Sequence, residues 1–549
     1  MMRKTNAIRT LVMASCLLAA MLAAHAQDKP ETVAESSGFT ATSTYQDVMD
    51  FIHAMQTLSP DLRMETLCTS TEGRKIPLLI LGNPVPASPR DLKRDKRAVI
   101  YIQANIHAGE VEGKEALLML LRDIVTDPAE PFFRNLVILA APIFNADGNE
   151  KISKDNRRSQ NGPEDGVGVR YNGQNLDLNR DAMKMESPEV RGLIANVLDT
   201  WDPCLLVDCH TTNGSYHKEP VTYVWGLNPN TGQNVLAYMR DRMMPAIQKD
   251  LKKKHQILSI PYGNFMSYRE PEKGWNPAGP EPRYITNYVG MRNRMAILNE
   301  NYSYADFKTR VWGCYYFLKE ILAYCAAHSE EVRNLVQSAD EQAALRGMNG
   351  APTDSLIIAY DVRPAAKKIQ IIGYEMKVTP REQGRPRIER TDKEVTYTVP
   401  YFCDFVSKRA IRYPRGYFIT LQDPAIADLL MRHGIVTEKL TEPVTLEVET
   451  FLVKELKSAE RPYQGHHMNT VTGQYERTVK TFPEGTLFVS TAQPLGPLAA
   501  YLLEAESDDG LLVWNWLDRY LVQQWGRGYM DYPVYRLLEP VSLVKTILQ

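Results

Sequence analysis

The chain has 549 residues, of which 64 are basic and 66 are acidic, so its formal net charge is −2. Hydrophobic residues make up 44% and charged residues 24%, with 32 Gly and 34 Pro, which are the proportions of an ordinary globular protein. This composition argues against a disordered, collagen-like or coiled-coil chain, and the near-neutral charge gives no electrostatic reason to expect a nucleic-acid partner.

The first 26 residues have the pattern of a secretory signal peptide. Basic residues precede an apolar stretch over 11–24, and the segment ends in Ala24-His25-Ala26, which has the small-x-small spacing of a cleavage site. The apolar stretch is shorter than the about 20 residues of a membrane span. We therefore predict an exported protein, periplasmic or secreted, with no stable membrane span. The alternative is a lipoprotein anchored at Cys16.

Residues 27–44 are polar and rich in Ser and Thr, which predicts a flexible lead-in. Apolar strand-like runs and helical periods then alternate from about 95 to 330, within a first domain that we predict to extend over 45–344. The strand-like runs are 99–102, 136–140, 205–207 and 295–298, and the helical stretches are 112–125, 187–201 and 306–342. Short buried strands that alternate with helices predict an α/β layer fold with a largely parallel sheet.

The pattern changes after about residue 345. Strand-like runs dominate at 355–360, 368–378, 417–421, 445–453 and 486–489, and helical pieces occur at 426–433 and 495–504. This pattern predicts a second, β-rich domain over 345–549. His466 and His467 fall in a predicted loop and are interpreted as an exposed pair.

Six cysteines remain beyond the predicted signal peptide, and none forms a C-x-x-C pair. A structural zinc site built from thiolates is therefore not expected. One or two disulfides are compatible with export, and the sequence does not determine their pairing. The six are Cys68, Cys204, Cys209, Cys314, Cys325 and Cys403.

A candidate metal site begins with His107 and Glu110, three residues apart at a predicted strand-to-helix junction. Imidazole and carboxylate are the ligands that catalytic zinc prefers, and three protein ligands leave a fourth position for water. His210 is the best third candidate, because it ends a predicted strand, where α/β sheets place their active sites. A histidine satisfied by backbone groups is the alternative.

Two further clusters carry polar groups beside apolar strands. Asn179 and Arg180 put a carboxamide next to a guanidinium, a pair suited to binding a carboxylate, although an exposed charged loop has the same composition. Glu300 ends another predicted strand, where a carboxylate is costly unless it is paired or functional. It could act as a general base on a metal-bound water or belong to a structural ion pair.

Together these features resemble the zinc carboxypeptidase family, the metallocarboxypeptidases of carboxypeptidase A/B type. The resemblance covers about 45–330 and rests on five motifs in the family's order: His107-x-x-Glu110, Pro142–Gly148, Asp177-x-Asn179-Arg180, His210 and Glu300. It implies an α/β/α sandwich around a mixed sheet of about eight strands. Segments 493–504 and 514–518 also resemble the tail of large bacterial exported members, for which packing over the active-site rim and substrate binding are both open.

The resemblance implies a role for each motif residue. One zinc ion per chain would be held by His107, Glu110 and His210, with Asp177 orienting a zinc-bound imidazole. Asn179 and Arg180 would bind the C-terminal carboxylate of a peptide, and Glu300 would be the general base and then the acid.

Two roles have more than one candidate. The family's carbonyl-polarising arginine matches Arg157, with Arg158 or Arg170 as alternatives. Its mobile capping tyrosine matches Tyr284 or Tyr288.

These roles predict a zinc metallopeptidase, a hydrolase that removes C-terminal residues from peptide substrates. One alternative is a zinc-dependent deacylase or a peptidoglycan-peptide amidase that uses the same site. A second alternative is non-enzymatic, a peptide-binding protein on a degenerate peptidase fold, which the complete metal set and Glu300 disfavour. The sequence motifs do not indicate the oligomeric state.

Overall fold

The structure is a computed structural model that describes residues 29–127, 131–380, 387–523, 525–526 and 528–548. The predicted signal peptide and the alternative lipidation site at Cys16 lie outside these residues. Within the described ranges, no helix combines the length and the apolar character needed to cross a membrane.

A mixed eight-stranded sheet forms the centre of the first region. Its strands are β1 Leu62–Thr69, β2 Lys75–Leu81, β3 Ala98–Ala104, β4 Leu136–Ala141, β5 Leu205–Thr212, β6 Val221–Trp225, β7 Ser259–Pro261 and β10 Met295–Tyr302, while β8 Asn264–Phe265 and β9 Trp275–Asn276 form a separate hairpin. The spatial order is β1-β2-β4-β3-β5-β10-β6-β7. The four central strands β4, β3, β5 and β10 run parallel, and β1, β2 and β6 pair antiparallel.

Helices cover both faces of this sheet. They are α1 Val33–Ser36, α2 Tyr45–Leu58, α3 Glu112–Thr126, α4 Ala146–Asn149, α5 Pro188–Leu193, α6 Gln233–Tyr238, α7 Met244–His255, α8 Ile285–Met291, α9 Phe307–Ala327 and α10 Ser329–Asn349. Helices α3, α7 and α9 pack together on one face, while α5, α8 and α10 contact the sheet on the other. Every residue of β3 and β4 is buried, as expected for parallel strands covered on both faces.

The predicted sheet, with helices on both faces, is therefore confirmed. Ser187 caps α5 as predicted, accepting a hydrogen bond from the Val190 N–H. The single helical stretch predicted over 306–342 is two helices, because His328 between them adopts a non-helical backbone conformation.

Antiparallel strands dominate the second region, which confirms the β-rich prediction. A seven-stranded sheet has the order β18-β17-β20-β15-β19-β16-β21, and β11 with β14 and β12 with β13 form two-stranded sheets. The bounds are β11 Ser355–Arg363, β12 Ile369–Thr379, β13 Arg387–Val399, β14 Asp404–Arg412, β15 Gly416–Ile419, β16 Glu438–Leu440, β17 Val444–Ser458, β18 Asn469–Phe482, β19 Leu487–Ser490, β20 Val534–Leu537 and β21 Lys545–Ile547. Three helices accompany them: α11 Pro424–Arg432, α12 Gly496–Leu503 and α13 Asp518–Leu521.

The segment expected to be a flexible lead-in packs against the first region. Thr42 and Ser43 are buried, and the Glu115 carboxylate accepts hydrogen bonds from the Thr42 hydroxyl, the Ser43 N–H and the Ser43 hydroxyl at 2.7–2.9 Å. A buried carboxylate is costly without such donors, so these contacts hold the segment to α3.

The six cysteines beyond the predicted signal peptide are free thiols, so neither of the disulfides left open by the sequence is present. The Sγ atoms of Cys209 and Cys314 lie 3.9 Å apart in the core.

Candidate active site

Three neighbouring parallel strands deliver the predicted site residues to one edge of the sheet. His107 follows β3, His210 lies in β5 and Glu300 lies in β10. Strand β5 lies between the other two, and Glu300 is the register partner of His210. The carboxyl ends of parallel strands meet at one edge, so residues far apart in sequence come together there.

His107, Glu110 and His210 form a buried triad whose ligand atoms all lie within 4.8 Å of one another. The Glu110 carboxylate lies 3.1 Å from His107 Nδ1 through one oxygen and 2.9 Å from His210 Nδ1 through the other. The two Nδ1 atoms are 3.2 Å apart. Two imidazole nitrogens and a carboxylate converging on one point could hold a metal ion, and the set is of the kind that zinc prefers.

The remaining nitrogen of each imidazole faces a carboxylate. His107 Nε2 lies 3.0 Å from Asp177 Oδ1, and His210 Nε2 lies 2.9 Å from Asp208 Oδ2. A proton held on Nε2 by its carboxylate leaves the Nδ1 lone pair directed into the triad. The structure thus pairs Asp177 with a triad imidazole, as the resemblance implied, and gives Asp208 the same relation to the second histidine.

The electrostatics of the triad favour a cation. Burial acts to raise the pKa of Glu110, but the charges of His107 and Arg157 hold that pKa well below its ordinary value. Burial likewise opposes ionisation of Asp177, yet its hydrogen bond with His107 and the charge of Arg170 lower the pKa of that carboxyl. Both carboxylates are therefore ionised at neutral pH.

His210 has the opposite shift. Burial acts to lower the pKa of His210, but Asp208 and Glu110 raise it well above its ordinary value. A metal ion entering the triad would have to displace this proton, so metal affinity should fall as the pH falls.

Two of the three candidate arginines reach the triad. Arg157 donates from Nη1 to Glu110 Oε1 at 2.9 Å and from Nη2 to the Thr211 carbonyl at 2.8 Å. Arg170 donates from Nε to Asp177 Oδ2 at 2.8 Å. Arg158 is exposed and binds Asp155, so the structure does not place this alternative at the site.

The close approach of Arg157 depends on Gly109, inside the His107–Glu110 loop. A Cβ at this position would lie 2.5 Å from Arg157 Cδ and 2.8 Å from the Gly168 carbonyl oxygen. Any larger side chain would therefore displace either the arginine or the backbone.

A cavity of about 340 Å³ opens onto the triad. Its lining includes all but two of the predicted site residues: His107, Glu110, Arg157, Asn179, Arg180, His210, Tyr284 and Glu300. The two that are not among the lining residues are Asp177, which lies behind His107, and Tyr288. Two larger cavities, of about 890 and 1080 Å³, contain none of the predicted site residues.

Asn179 and Arg180 form the wall of the cavity beside Tyr284. The Arg180 guanidinium carbon lies 4.3 Å from the centre of the Tyr284 ring. Asn179 Oδ1 accepts a hydrogen bond from the Ile285 N–H at 2.9 Å, and its Nδ2 lies 3.5 Å from His210 Nε2. One terminal nitrogen of the Arg180 guanidinium, Nη1, donates to the Asn179 carbonyl at 2.7 Å, and a guanidinium in the cavity wall is suited to binding an anionic group.

Glu300 faces the triad from β10, and its Oε2 has no hydrogen-bond partner in the described residues. Burial and the nearby Glu110 charge raise the pKa of Glu300 to about 8, against the lowering effect of His210, Arg157 and Arg170. A carboxylate with a pKa close to neutrality is suited to exchanging protons, although a divalent cation in the triad would lower this value.

The structure does not bring Tyr288 to the cavity. Its ring is fully buried, and its hydroxyl lies 2.9 Å from Nδ1 of His433 in the second region. Tyr284 is the N-cap residue of α8, with an extended backbone outside the helix, and lines the cavity, whereas Tyr288 lies inside α8 and is buried in the core.

Other contributors to the site were not predicted. Tyr262 lines the cavity, and the Thr211 N–H donates to Glu110 Oε2 at 2.9 Å. Gln464 Oε1 accepts a hydrogen bond from the Asp177 N–H at 2.8 Å. Thr211 could have been inferred from its position after His210. Nothing in one sequence links Tyr262 or Gln464 to the site.

Comparisons with known proteins agree with this geometry. The sequence model of the zinc carboxypeptidase family matches residues 48–275, a range that contains the triad and Asp177–Arg180 and ends before Glu300. The chain is similar to "Carboxypeptidase 2" of Trichophyton rubrum, with 22% identity over 474 residues, covering 82% of this chain and 80% of the relative. "Carboxypeptidase 2" of Trichophyton equinum is 22% identical over 486 residues, covering 85% and 81%.

Two solved structures are also similar. A metallo-carboxypeptidase from Burkholderia cenocepacia matches 52% of this chain and 70% of its own, at 18% identity and a TM-score of 0.38. Carboxypeptidase A from Helicoverpa armigera matches 58% of this chain and 82% of its own, at 17% identity and a TM-score of 0.39.

Proposed function

We propose that this protein is a hydrolase that removes single residues from the C-terminus of peptides, and the match of residues 48–275 to the zinc carboxypeptidase family model supports this proposal. One observation carries the proposal: a triad of metal-ligand type, a carboxylate whose Oε2 has no hydrogen-bond partner among the described residues, and an arginine line the same cavity. Together these groups provide the three functions that C-terminal hydrolysis needs, namely an electrophilic centre, a proton carrier and a group that binds the terminal carboxylate.

One zinc ion held by His107, Glu110 and His210 fits the donor set, because two neutral nitrogens and one carboxylate leave a position open for water. Bound there, zinc would act as a Lewis acid toward a carbonyl and lower the pKa of a water molecule to about 7. Asp177 and Asp208 would orient the two imidazoles and raise their basicity.

Glu300 is the proposed proton carrier. In this role it takes a proton from the attacking water and later delivers one to the leaving amine. Two observations support the role: its position opposite His210 on the neighbouring strand, and an Oε2 without a hydrogen-bond partner in the described residues.

Arg180 and Asn179 would bind the terminal carboxylate of the substrate, with Tyr284 packed beside the guanidinium. Binding the end of the chain at a fixed distance from the triad sets the exopeptidase register. Arg157 is proposed to stabilise negative charge on the scissile carbonyl oxygen, since its guanidinium already lies beside Glu110.

The test uses matched peptides that differ only at their C-terminus. A free-acid peptide should lose its last residue, the same peptide amidated at its C-terminus should be resistant, and a zinc chelator should abolish the release. Cleavage of N-acyl amino acids in preference to peptides would instead identify a deacylase, and release restricted to peptidoglycan peptides would identify the amidase alternative.

Export remains a proposal based on residues 1–26. Full-length protein expressed in a bacterium should be recovered from the periplasm or the medium with an N-terminus at Gln27. A lipid-modified Cys16 would support the anchored alternative, and an uncleaved cytoplasmic protein would contradict both.

A further inference from the structure

The hairpin formed by β17 and β18 extends from the second region to the active site of the first. Its tip is closed by backbone hydrogen bonds in both directions between Tyr463 and His466. The two residues between them have positive φ values, 52° at Gln464 and 81° at Gly465. This is the arrangement of a two-residue turn, and it points the Gln464 side chain outward from the hairpin.

Gln464 is an uncommon choice for the first position of such a turn. Positive φ is disfavoured for residues with a long side chain, and Asn or Gly is preferred there. A residue retained in a disfavoured conformation is a reason to examine its contacts. The contact here is the 2.8 Å hydrogen bond that Gln464 Oε1 accepts from the Asp177 N–H.

That hydrogen bond leads directly to the triad. Asp177 holds His107 Nε2 through Oδ1, and among the described residues its own N–H donates to Gln464. Asp177 also caps the short 3₁₀ turn Leu178–Arg180 by accepting from the Asn179 N–H. A shift of the Asp177 backbone would therefore disturb both a triad imidazole and the proposed carboxylate-binding pair.

Two more contacts anchor the second region around the same residues. His466 Nε2 lies 2.7 Å from Glu186 Oε1, so the interpretation of His466 and His467 as an exposed pair is correct only for His467. Near the same hairpin tip, the Asp509 carboxylate accepts from the N–H and the Nε of Arg283 at 2.8 and 3.0 Å. Arg283 directly precedes Tyr284, which packs against Arg180.

We propose that the second region contributes to the active site, and that Gln464 is a positioning residue for His107, a ligand of the metal. This inference rests on the proposed zinc site. Gln464 acts through Asp177 on the orientation of His107, and it does not line the cavity or contact substrate. Removing a group that orients a ligand typically weakens metal affinity 10- to 100-fold. Gln464 acts one contact further out, so we expect about a tenfold loss.

Gln464→Asn is the decisive variant, because it separates the hairpin's stability from its function. Asn suits positive φ better than Gln, so the turn should fold at least as well as in the parent protein. Its side chain is one methylene shorter, so its oxygen cannot reach the Asp177 N–H. Gln464→Glu keeps an acceptor of the same length, and Gln474→Met, in the exposed part of the same hairpin, is the control.

The measurements are the zinc dissociation constant, by competition of metal-free protein with a chromophoric chelator, and kcat and KM at saturating zinc. Gln464→Asn should bind zinc about tenfold more weakly, with an unchanged or raised Tm and a lowered kcat. Gln464→Glu should bind zinc as the parent protein does.

Zinc affinity of Gln464→Asn equal to that of Gln474→Met would overturn the inference, whatever the activity. If the Tm of Gln464→Asn falls, Gln464→Met, which keeps the side-chain length without an acceptor, must show the same loss of zinc affinity. A parent protein that binds zinc but releases no C-terminal residues would refute the proposed function and leave the role of Gln464 intact.

Discussion

The two regions of the molecule contribute to the active site in different ways. In the first region, buried parallel strands end at a common edge, and the side chains at or near those ends carry the proposed chemistry. In the second region, the tip of one antiparallel hairpin and a segment that follows a helix provide side chains that accept hydrogen bonds from backbone N–H groups beside the cavity. The groups proposed for catalysis and the groups proposed to position them therefore lie in different regions of the fold.

Glu300→Gln tests the first region at its most reactive group. The amide keeps the size of the side chain but cannot carry a proton, so kcat should fall by 10²- to 10⁴-fold. Zinc content should stay at the parent level, since Glu300 is not one of the three triad residues. Elemental analysis and peptide hydrolysis together give the result, with Glu476→Gln, on the exposed hairpin, as the control.

If the Glu300→Gln protein had the activity of the parent protein, another residue would have to be the proton carrier. A protein that lost its zinc would show that Glu300 contributes to metal binding instead. Either result would change the assignment of proposed catalytic groups to the first region and of positioning groups to the second.

Asp509→Ala tests the support that the second region gives. Asp509 is fully buried and pairs with Arg283, which lies on the opposite side of the interface between the regions. Breaking a buried pair leaves one charge unmatched and typically costs about 3–5 kcal/mol. Chemical denaturation should show a loss of this size, while Asp392→Ala, at an exposed position of β13, should show none.

The double substitution Arg283→Met with Asp509→Leu sharpens this result. Removing both charges leaves no unmatched ion, so the double variant should be more stable than Asp509→Ala alone. A double variant as unstable as the single one would mean that packing around Asp509, and not its charge, holds the regions together.

The sequence was most informative where chemistry follows a buried strand. His107, His210 and Glu300 each stand next to an apolar run, and parallel pairing brings such positions together. Asn179 and Arg180 could be recognised from their chemistry as a pair suited to binding a carboxylate, but the role of Asp177 followed only from its resemblance to a family motif. Gln464 and Asp509 could not be found, because hydrogen bonds across more than 200 residues have no local pattern. Tyr284 and Tyr288 could not be told apart, because the direction of α8 decides which one faces the cavity.

His433 makes the interface between the regions sensitive to acid. It accepts the Tyr288 hydroxyl, and its carbonyl accepts from Arg292. Burial, together with the Arg292 charge, lowers the pKa of His433 to about 3. The unfolded chain binds a proton at this residue below pH about 6.5 and the folded chain does not, so stability is full above 6.5 and declines toward pH 3.

At pH 5 this loss should be about 2 kcal/mol, because the pH is about 1.5 units below the pKa of the unfolded residue. Denaturation curves at pH 5 and pH 7 measure it. His433→Gln keeps an acceptor for Tyr288 but does not titrate, so its stability should change less between the two values. Equal pH dependence in both proteins would place the acid-sensitive group elsewhere.

The smallest expected effects distinguish Tyr284, which faces the cavity of the first region, from Tyr288, which contacts the second region. Tyr284→Ala removes the ring beside Arg180, a contact of about 0.5–1 kcal/mol, so KM should rise roughly two- to fivefold with little change in stability. Tyr288→Phe removes a buried hydrogen bond to His433, so it should cost about 1 kcal/mol of stability and leave KM unchanged. The opposite pattern would mean that α8 turns when substrate binds, bringing Tyr288 to the cavity, and would make the second region a partner in that movement.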